Sequence, residues 1–267
     1  MNPAPWDDGT RPERPMPRGL GRLRATWRLA AIATLLFGLL PVFLICRFLG
    51  ARGAAAGIVS FAMARALAIM GIAVRVTGRP RGAAALVANH AGWMDIFVLH
   101  SVARVVFVSK IEVASWPLIG FVARQVGTVF ITRNPREAGE QKAIFEDRFQ
   151  RGETLLFFPE ATSTDGRRVL PFRSSLFAAI HEADRGVQPV SVLYRGPPGG
   201  EDRFYGWWGG MDFAPHFLSA LGLARQGQVD VIFHPILEAR DFAHRKALAS
   251  AAEDAVRRGV EELLAKN

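Results

Sequence analysis

The chain has 267 residues, half of them hydrophobic, and a mean hydropathy of +0.15; this fits one catalytic domain with an apolar extension and exceeds what the core of a soluble enzyme needs. A single cysteine, Cys46, excludes an intrachain disulfide and a cysteine-rich metal site. The net charge of +9 is wholly N-terminal, since residues 1–81 hold 12 Arg, no Lys and 3 acids while residues 82–267 balance 21 basic against 21 acidic side chains; these arginines flank apolar segments and line no aromatic-studded groove, which points to anionic lipid and away from nucleic acid.

In chain order, residues 1–27 read as a basic, proline-containing tail without apolar periodicity, expected to be flexible. Residues 29–46 form an uncharged apolar run of 18, closed by Arg28 and Arg47, at the short end of what a spanning helix needs. Pro41 is expected to kink it. Arg11, Arg14, Arg18, Arg22, Arg24 and Arg28 precede the run, so a spanning orientation leaves the N-terminus cytoplasmic. Residues 54–74, interrupted by Arg65 alone, read as a returning helix or one lying in the interface. Residues 28–75 are therefore assigned to membrane-associated helices and 76–267 to a catalytic domain. Access to cytosolic partners requires the two helices to form a hairpin or an interfacial pair, with the catalytic domain facing the cytoplasm at the cytoplasmic membrane.

From residue 72 short β-rich runs alternate with helix-like stretches, the pattern of an α/β sheet. Strands are expected at 72–76, 85–88, 105–108, 128–131, 154–158, 190–193 and 229–233, and helices at 135–151, 174–184 and 242–265. Pro135 suits a first helical position and Gly152 a C-terminal cap.

The informative segment is LVANHAGWMDIF, residues 86–97, where an apolar strand ends in Asn89-His90 and an acid follows at Asp95. Active sites of open α/β sheets gather at strand ends. Side chains five apart do not face each other on a helix, so His90 and Asp95 meet only if the chain turns between them; Gly92 permits that turn, and Asp95 is placed to begin the next helix. A carboxylate on one ring nitrogen fixes the tautomer and leaves the other as a general base. There is no G-x-S-x-G nucleophile elbow, so the base would activate a substrate hydroxyl directly, with backbone N–H groups near the His90 turn as the oxyanion donors. No H-E-x-x-H motif and no phosphate loop are present, and His181, Glu182 and Asp184 do not share a helix face, so no metal site is expected. His216 and His234 read as core or surface histidines.

The His, four residues, Asp spacing resembles the signature of the glycerolipid acyltransferase family, and three further blocks follow in that family's order. GTVFITRN (127–134) is similar to the block whose arginine, here Arg133, meets the acceptor head group. FFPEATSTDG (157–166) is similar to the Phe-Pro-Glu-Gly-Thr-Arg block, placing Glu160 and Thr162 at the acceptor site. VQPVSV (187–192) carries Pro189 in the short strand beside the acyl donor. Between the first two, SKIEVASWPLIG (109–120) adds Lys110 and Glu112 as pocket residues. The resemblance spans about residues 70–235 and implies a mixed sheet of about seven strands flanked by helices.

It further implies O-acyl transfer from acyl-CoA or acyl carrier protein to a lyso-lipid, with His90 and Asp95 catalytic and Arg133, Glu160, Thr162 and Lys110 binding the acceptor. No cofactor is required, since a thioester is already activated. The first expectation for the acceptor is 1-acyl-sn-glycerol-3-phosphate. One departure bears on it: Gly-Thr-Arg is here Ala161-Thr162-Ser163, which removes a guanidinium suited to a phosphate and leaves Arg133 with Arg167, Arg168 or Arg173 to replace it. The run at 162–177 is more similar to the branch that acylates lyso-ornithine lipid, which carries no phosphate. A membrane-associated thioesterase or lipase and a non-catalytic lipid-binding protein are the competing readings. The aromatic stretch FYGWWGGMDFAPHF, 204–217, reads as a tunnel cover, an interfacial belt or plain packing.

Overall fold

The computed structural model describes residues 6–116, 119–132 and 138–266. The two apolar segments are helices α1 (Leu20–Phe48) and α2 (Arg52–Met70), which pack against each other across a three-residue connection, as a hairpin. Both are long and apolar enough to cross a membrane. The 29 residues of α1 amount to about 43 Å at 1.5 Å per residue, and the helix continues through Pro41. It begins inside the segment expected to be a tail, because its first turns have a partner. Arg24 donates to the carbonyl of Gly222 (2.9 Å), and Arg28 to those of Leu221 (2.9 Å) and Leu223 (2.7 Å). Ahead of the helix, Arg14 donates to the carbonyls of Phe204 (2.8 Å), Gly206 (2.7 Å) and Arg203 (3.2 Å). Toward its C-terminus α1 exposes Leu44, Ile45 and Phe48, followed by Leu49.

The remainder follows in the order β1 (Ala73–Thr77), β2 (Ala85–Ala88), α3 (Met94–Val102), β3 (Val106–Lys110), α4 (Ile111–Ala114), α5 (Ile119–Gln125), β4 (Val129–Ile131), α6 (Ala138–Gln150), β5 (Leu155–Phe157), α7 (Phe177–Glu182), β6 (Gly186–Arg195), α8 (Phe213–Gly222), β7 (Gln228–Phe233), β8 (Leu237–Glu238) and α9 (Arg245–Ala265). All seven expected strands are present, with β8 added as a two-residue partner of β6. The sheet order is β1-β7-β6-β2-β5-β3-β4, parallel except where β6 meets β7 and β8, so the sheet is mixed, as the resemblance implied.

Strand alternation sets the layers. In β2, Leu86 and Ala88 face a core shared with Leu67 and Met70 of α2, Val98 and Leu99 of α3, and Leu221 of α8. Ala85 and Val87 face the opposite core, with Phe145 of α6, Ile180 of α7 and Leu248, Ala252 and Val256 of α9. All four β2 residues are buried, which accounts for a continuous apolar run where a half-exposed strand would alternate. Pro189, which lacks an N–H, falls between the β6 residues that pair with β8 and those that pair with β7, so the antiparallel ladders lose nothing to it.

Beyond β2, Asn89 is fully buried and grips β6 from both sides, donating from Nδ2 to the Val192 carbonyl and accepting the Val192 amide on Oδ1, each at 2.8 Å. Asn89→Ala leaves a buried N–H and a buried C=O without partners, at about 1–3 kcal/mol each. Thermal denaturation of this variant is expected to show a Tm about 10 °C lower; an unchanged Tm would show the bridge to be dispensable.

Candidate active site

The chain leaves β2 at Asn89 and enters α3 at Met94, and the turn between them carries His90. Asp95, in the first turn of α3, is fully buried and folds back onto that turn. Its Oδ2 lies 2.7 Å from His90 Nδ1 and accepts the amides of Ala91 (2.8 Å) and Gly92 (3.0 Å). Its Oδ1 accepts the phenol hydroxyl of Tyr194 on β6 at 2.7 Å. Burial pushes the Tyr194 phenol well above its usual value, with the Asp95 charge adding to this, so it remains a donor.

With Nδ1–H given to Asp95, the neutral imidazole presents Nε2 as a proton acceptor. The ring stacks on Phe158 at 4.0 Å and 13°, and its side chain retains 23% exposure, so the imidazole is held by its neighbours and is still reachable.

Glu160 stands behind the turn. It is 3% exposed, and its two carboxyl oxygens accept the amides of His90 (2.8 Å) and Leu170 (2.9 Å). Burial pushes its carboxyl up to about 8, while those two amides pull the other way. Both oxygens of Glu160, the residue expected at the acceptor site, hold backbone amides. The carbonyls of the turn are also engaged, His90 by the Thr164 amide (2.8 Å) and Ala91 by the Trp207 amide (2.7 Å). Gly92 has φ 155°, and a Cβ there would lie 2.9 Å from Cβ of Trp207, so the turn closes only around glycine.

One expectation requires correction. The amides of residues 90, 91 and 92 all point at carboxylates, so the oxyanion donors anticipated there are already occupied. Of the other expected residues, Lys110 ends β3 and is half-buried, and Thr162 is exposed on the loop after β5. Arg133 lies outside the described residues. Two of the arginines named as phosphate substitutes have partners: Arg167 bonds Asp202 at 2.8 Å, and Arg168 holds both oxygens of Asp165 at 3.1 and 2.9 Å. Arg173 is exposed. Ala161, at the position of the family's glycine, has φ 59°, a left-handed conformation that glycine adopts without strain.

Sequence reasoning missed Tyr194 and the Trp93-His216 pair. Tyr194 sits in a strand rich in valine and buried along nearly all its length, where a phenol hydroxyl needs a partner, and that is the signal which would have marked it. Trp93 Nε1 donates to His216 Nδ1 (2.9 Å), and His216 Nε2 bonds the Gly206 carbonyl (3.1 Å) that Arg14 also holds. His216 thus ties the aromatic stretch to the catalytic turn. Among the described residues no cluster of His, Cys, Asp and Glu could hold a metal.

Comparison with known proteins places these features in context. A family model described as acyltransferase matches residues 73–193. The chain is 48% identical to a lyso-ornithine lipid O-acyltransferase of Rhodobacter capsulatus, over 93% of this chain and 94% of that one. It is 38% identical to a 1-acyl-sn-glycerol-3-phosphate acyltransferase of Neisseria gonorrhoeae, over 48% and 52% of the two chains. The crystal structure of the 1-acyl-sn-glycerophosphate acyltransferase of Thermotoga maritima superposes with a TM-score of 0.65 at 25% identity, covering 92% of this chain and 95% of that one.

Glu160 gives a pH signature. Its folded value of about 8 exceeds the unfolded 4.5, so between these the folded chain keeps a proton that the unfolded chain has released, and stability falls as pH rises through the window. Glu160→Gln removes that dependence. Denaturant titrations from pH 5 to 8 are expected to show the variant losing less stability than the parent, by on the order of a few kcal/mol; parallel curves would refute the assignment.

Proposed function

This chain belongs to the acyltransferase family and acts on a lysolipid, and from that premise we propose that it acylates the free hydroxyl of lyso-ornithine lipid, with His90 as general base. The observation that carries the mechanism is the 2.7 Å contact between His90 Nδ1 and a buried Asp95 whose remaining lone pairs are occupied. Nε2 takes the hydroxyl proton as the oxygen attacks the thioester carbonyl of acyl-CoA or acyl carrier protein. The C–O bond forms, the tetrahedral oxyanion collapses, the C–S bond breaks, and the imidazolium returns its proton to the departing sulfur. Asp95 stabilises that transient imidazolium, and Tyr194 stabilises Asp95. Lys110, Arg133 and Thr162 position the acceptor, and Glu160 acts indirectly by holding the His90 turn.

Two observations favour the ornithine acceptor over 1-acyl-sn-glycerol-3-phosphate. The extended similarity to the Rhodobacter enzyme covers nearly all of both chains. The guanidinium of the Gly-Thr-Arg block is absent, and Arg167 and Arg168, which would replace it, are paired with Asp202 and Asp165. A head group without phosphate does not need them. The apolar hairpin supports a location at the cytoplasmic membrane, a reading in which the sheet domain faces the cytoplasm and meets either donor there.

His90→Ala is expected to lower acyl transfer at least 10³-fold, in the range lost with a general base together with its positioning, while the protein still accumulates in membranes; near-normal transfer would refute the role. Membranes given labelled acyl donor with lyso-ornithine lipid or lysophosphatidate in parallel are expected to acylate the first. Exclusive use of the second would transfer the assignment to 1-acyl-sn-glycerol-3-phosphate, and acceptor-independent release of fatty acid would make the chain a thioesterase or lipase.

A further inference from the structure

A cavity of about 280 Å³ opens at the far edge of the sheet from His90, near the lower end of the range for ligand pockets. Val105 and Val106 at the start of β3 and Thr154 just before β5 form its floor, and Phe43 of α1 and Ala55 of α2 form one wall. His90 and Glu160 follow the opposite, C-terminal ends of β2 and β5. Because β2, β5 and β3 run parallel, the two places are separated by the strand length, roughly 16 Å for five residues.

The lining is strongly one-signed, with Arg47, Arg52, Arg104, Arg148 and Arg151 facing one acid, Glu153. Arg148 is paired with Glu153 at 2.8 Å and Arg151 with Asp147 at 2.6 Å. The guanidiniums of Arg47, Arg52 and Arg104 make no hydrogen bond or ion pair with another described residue. The guanidinium nitrogens of Arg47 and Arg148 converge on Gly127, at 3.5 and 3.7 Å from where its Cβ would stand. Cations gathered this closely repel unless an anion joins them.

A second observation marks the same place. His100 lines the cavity, is 6% exposed, and has no hydrogen bond to another described residue; its ring lies against Phe107 at 4.7 Å. Burial pulls its imidazole down to about 4, so at neutral pH it is an uncharged ring with one N–H to donate. Beside the arginines the end of the α1–α2 hairpin exposes Leu44, Ile45, Phe48 and Leu49. An apolar edge next to a cationic hollow matches the division of a phospholipid into acyl chains and phosphate.

We propose that this cavity is a phosphate-binding site separate from the acyl-transfer site, taking the head-group phosphate of an anionic membrane lipid or free phosphate. Arg47, Arg52 and Arg104 supply the charge, and His100 supplies a fixed donor at the back. The site is independent of which lyso-lipid is acylated.

The test uses the full-length chain in neutral detergent, titrated calorimetrically with dioctanoyl phosphatidylglycerol and, separately, with inorganic phosphate. The expected result is one-to-one binding of the lipid that weakens at least tenfold in Arg47→Gln/Arg104→Gln, with acyl transfer in the absence of added anionic lipid unchanged. Phosphate binding of similar strength, lost in the same variant, assigns the phosphate group alone as the ligand; lipid binding without it assigns the membrane lipid. Failure of both probes to bind the parent chain, or equally tight binding by the variant, overturns the proposal. Arg104→Gln alone, at an exposed position, gives the same reading should the double variant not accumulate.

Discussion

The site depends on the burial of one carboxylate. Asp95 has no solvent contact, and a buried charge is tolerated only where donors surround it. Four do: the His90 ring, two consecutive amides and the Tyr194 hydroxyl. Meeting that demand bends the chain between residues 90 and 95, fixes the histidine tautomer and ties the turn to β6. Chemistry and packing are thus consequences of the same four hydrogen bonds, and the imidazole has no second orientation to adopt.

Around that turn the backbone groups are engaged within the chain itself. Glu160 takes one amide, Asp95 takes two, and the neighbouring carbonyls bond Thr164 and Trp207. The result is a braced histidine turn; in the proposed mechanism, stabilisation of the transition-state oxygen falls to groups outside it. The same economy of free groups is seen at the head-group side, where Arg167 and Arg168 are bound to acids. A cationic region with unpaired guanidiniums does occur, at the other edge of the sheet, beside the apolar hairpin.

Much of this was legible in the residues. Runs such as 85–88 and 229–233 carry enough β-branched and apolar character to mark strands, and the His90-Asp95 spacing with Gly92 between forecast the turn that the structure contains. Two kinds of feature escaped. Short elements such as α4 and α5, of four and seven residues, have too few turns for a periodic signal. Partners such as Tyr194 stand 99 residues from Asp95 and reach it only because β6 pairs with β2. The motif brings Glu160 next to the His90 turn, yet motif position alone does not distinguish a group that touches substrate from one that braces backbone.

The hold of Arg14 on residues 203–206 has a consequence for how the molecule comes into being. The first apolar helix leaves the ribosome early and must wait for α8 and the aromatic stretch, 190 to 193 residues later, before the arginines in and ahead of it find their carbonyls. β1 likewise has no strand neighbour until β7 is made. The fold is therefore closed by the C-terminal third of the chain, and until residues 203–233 are made neither the first helix nor β1 has these partners.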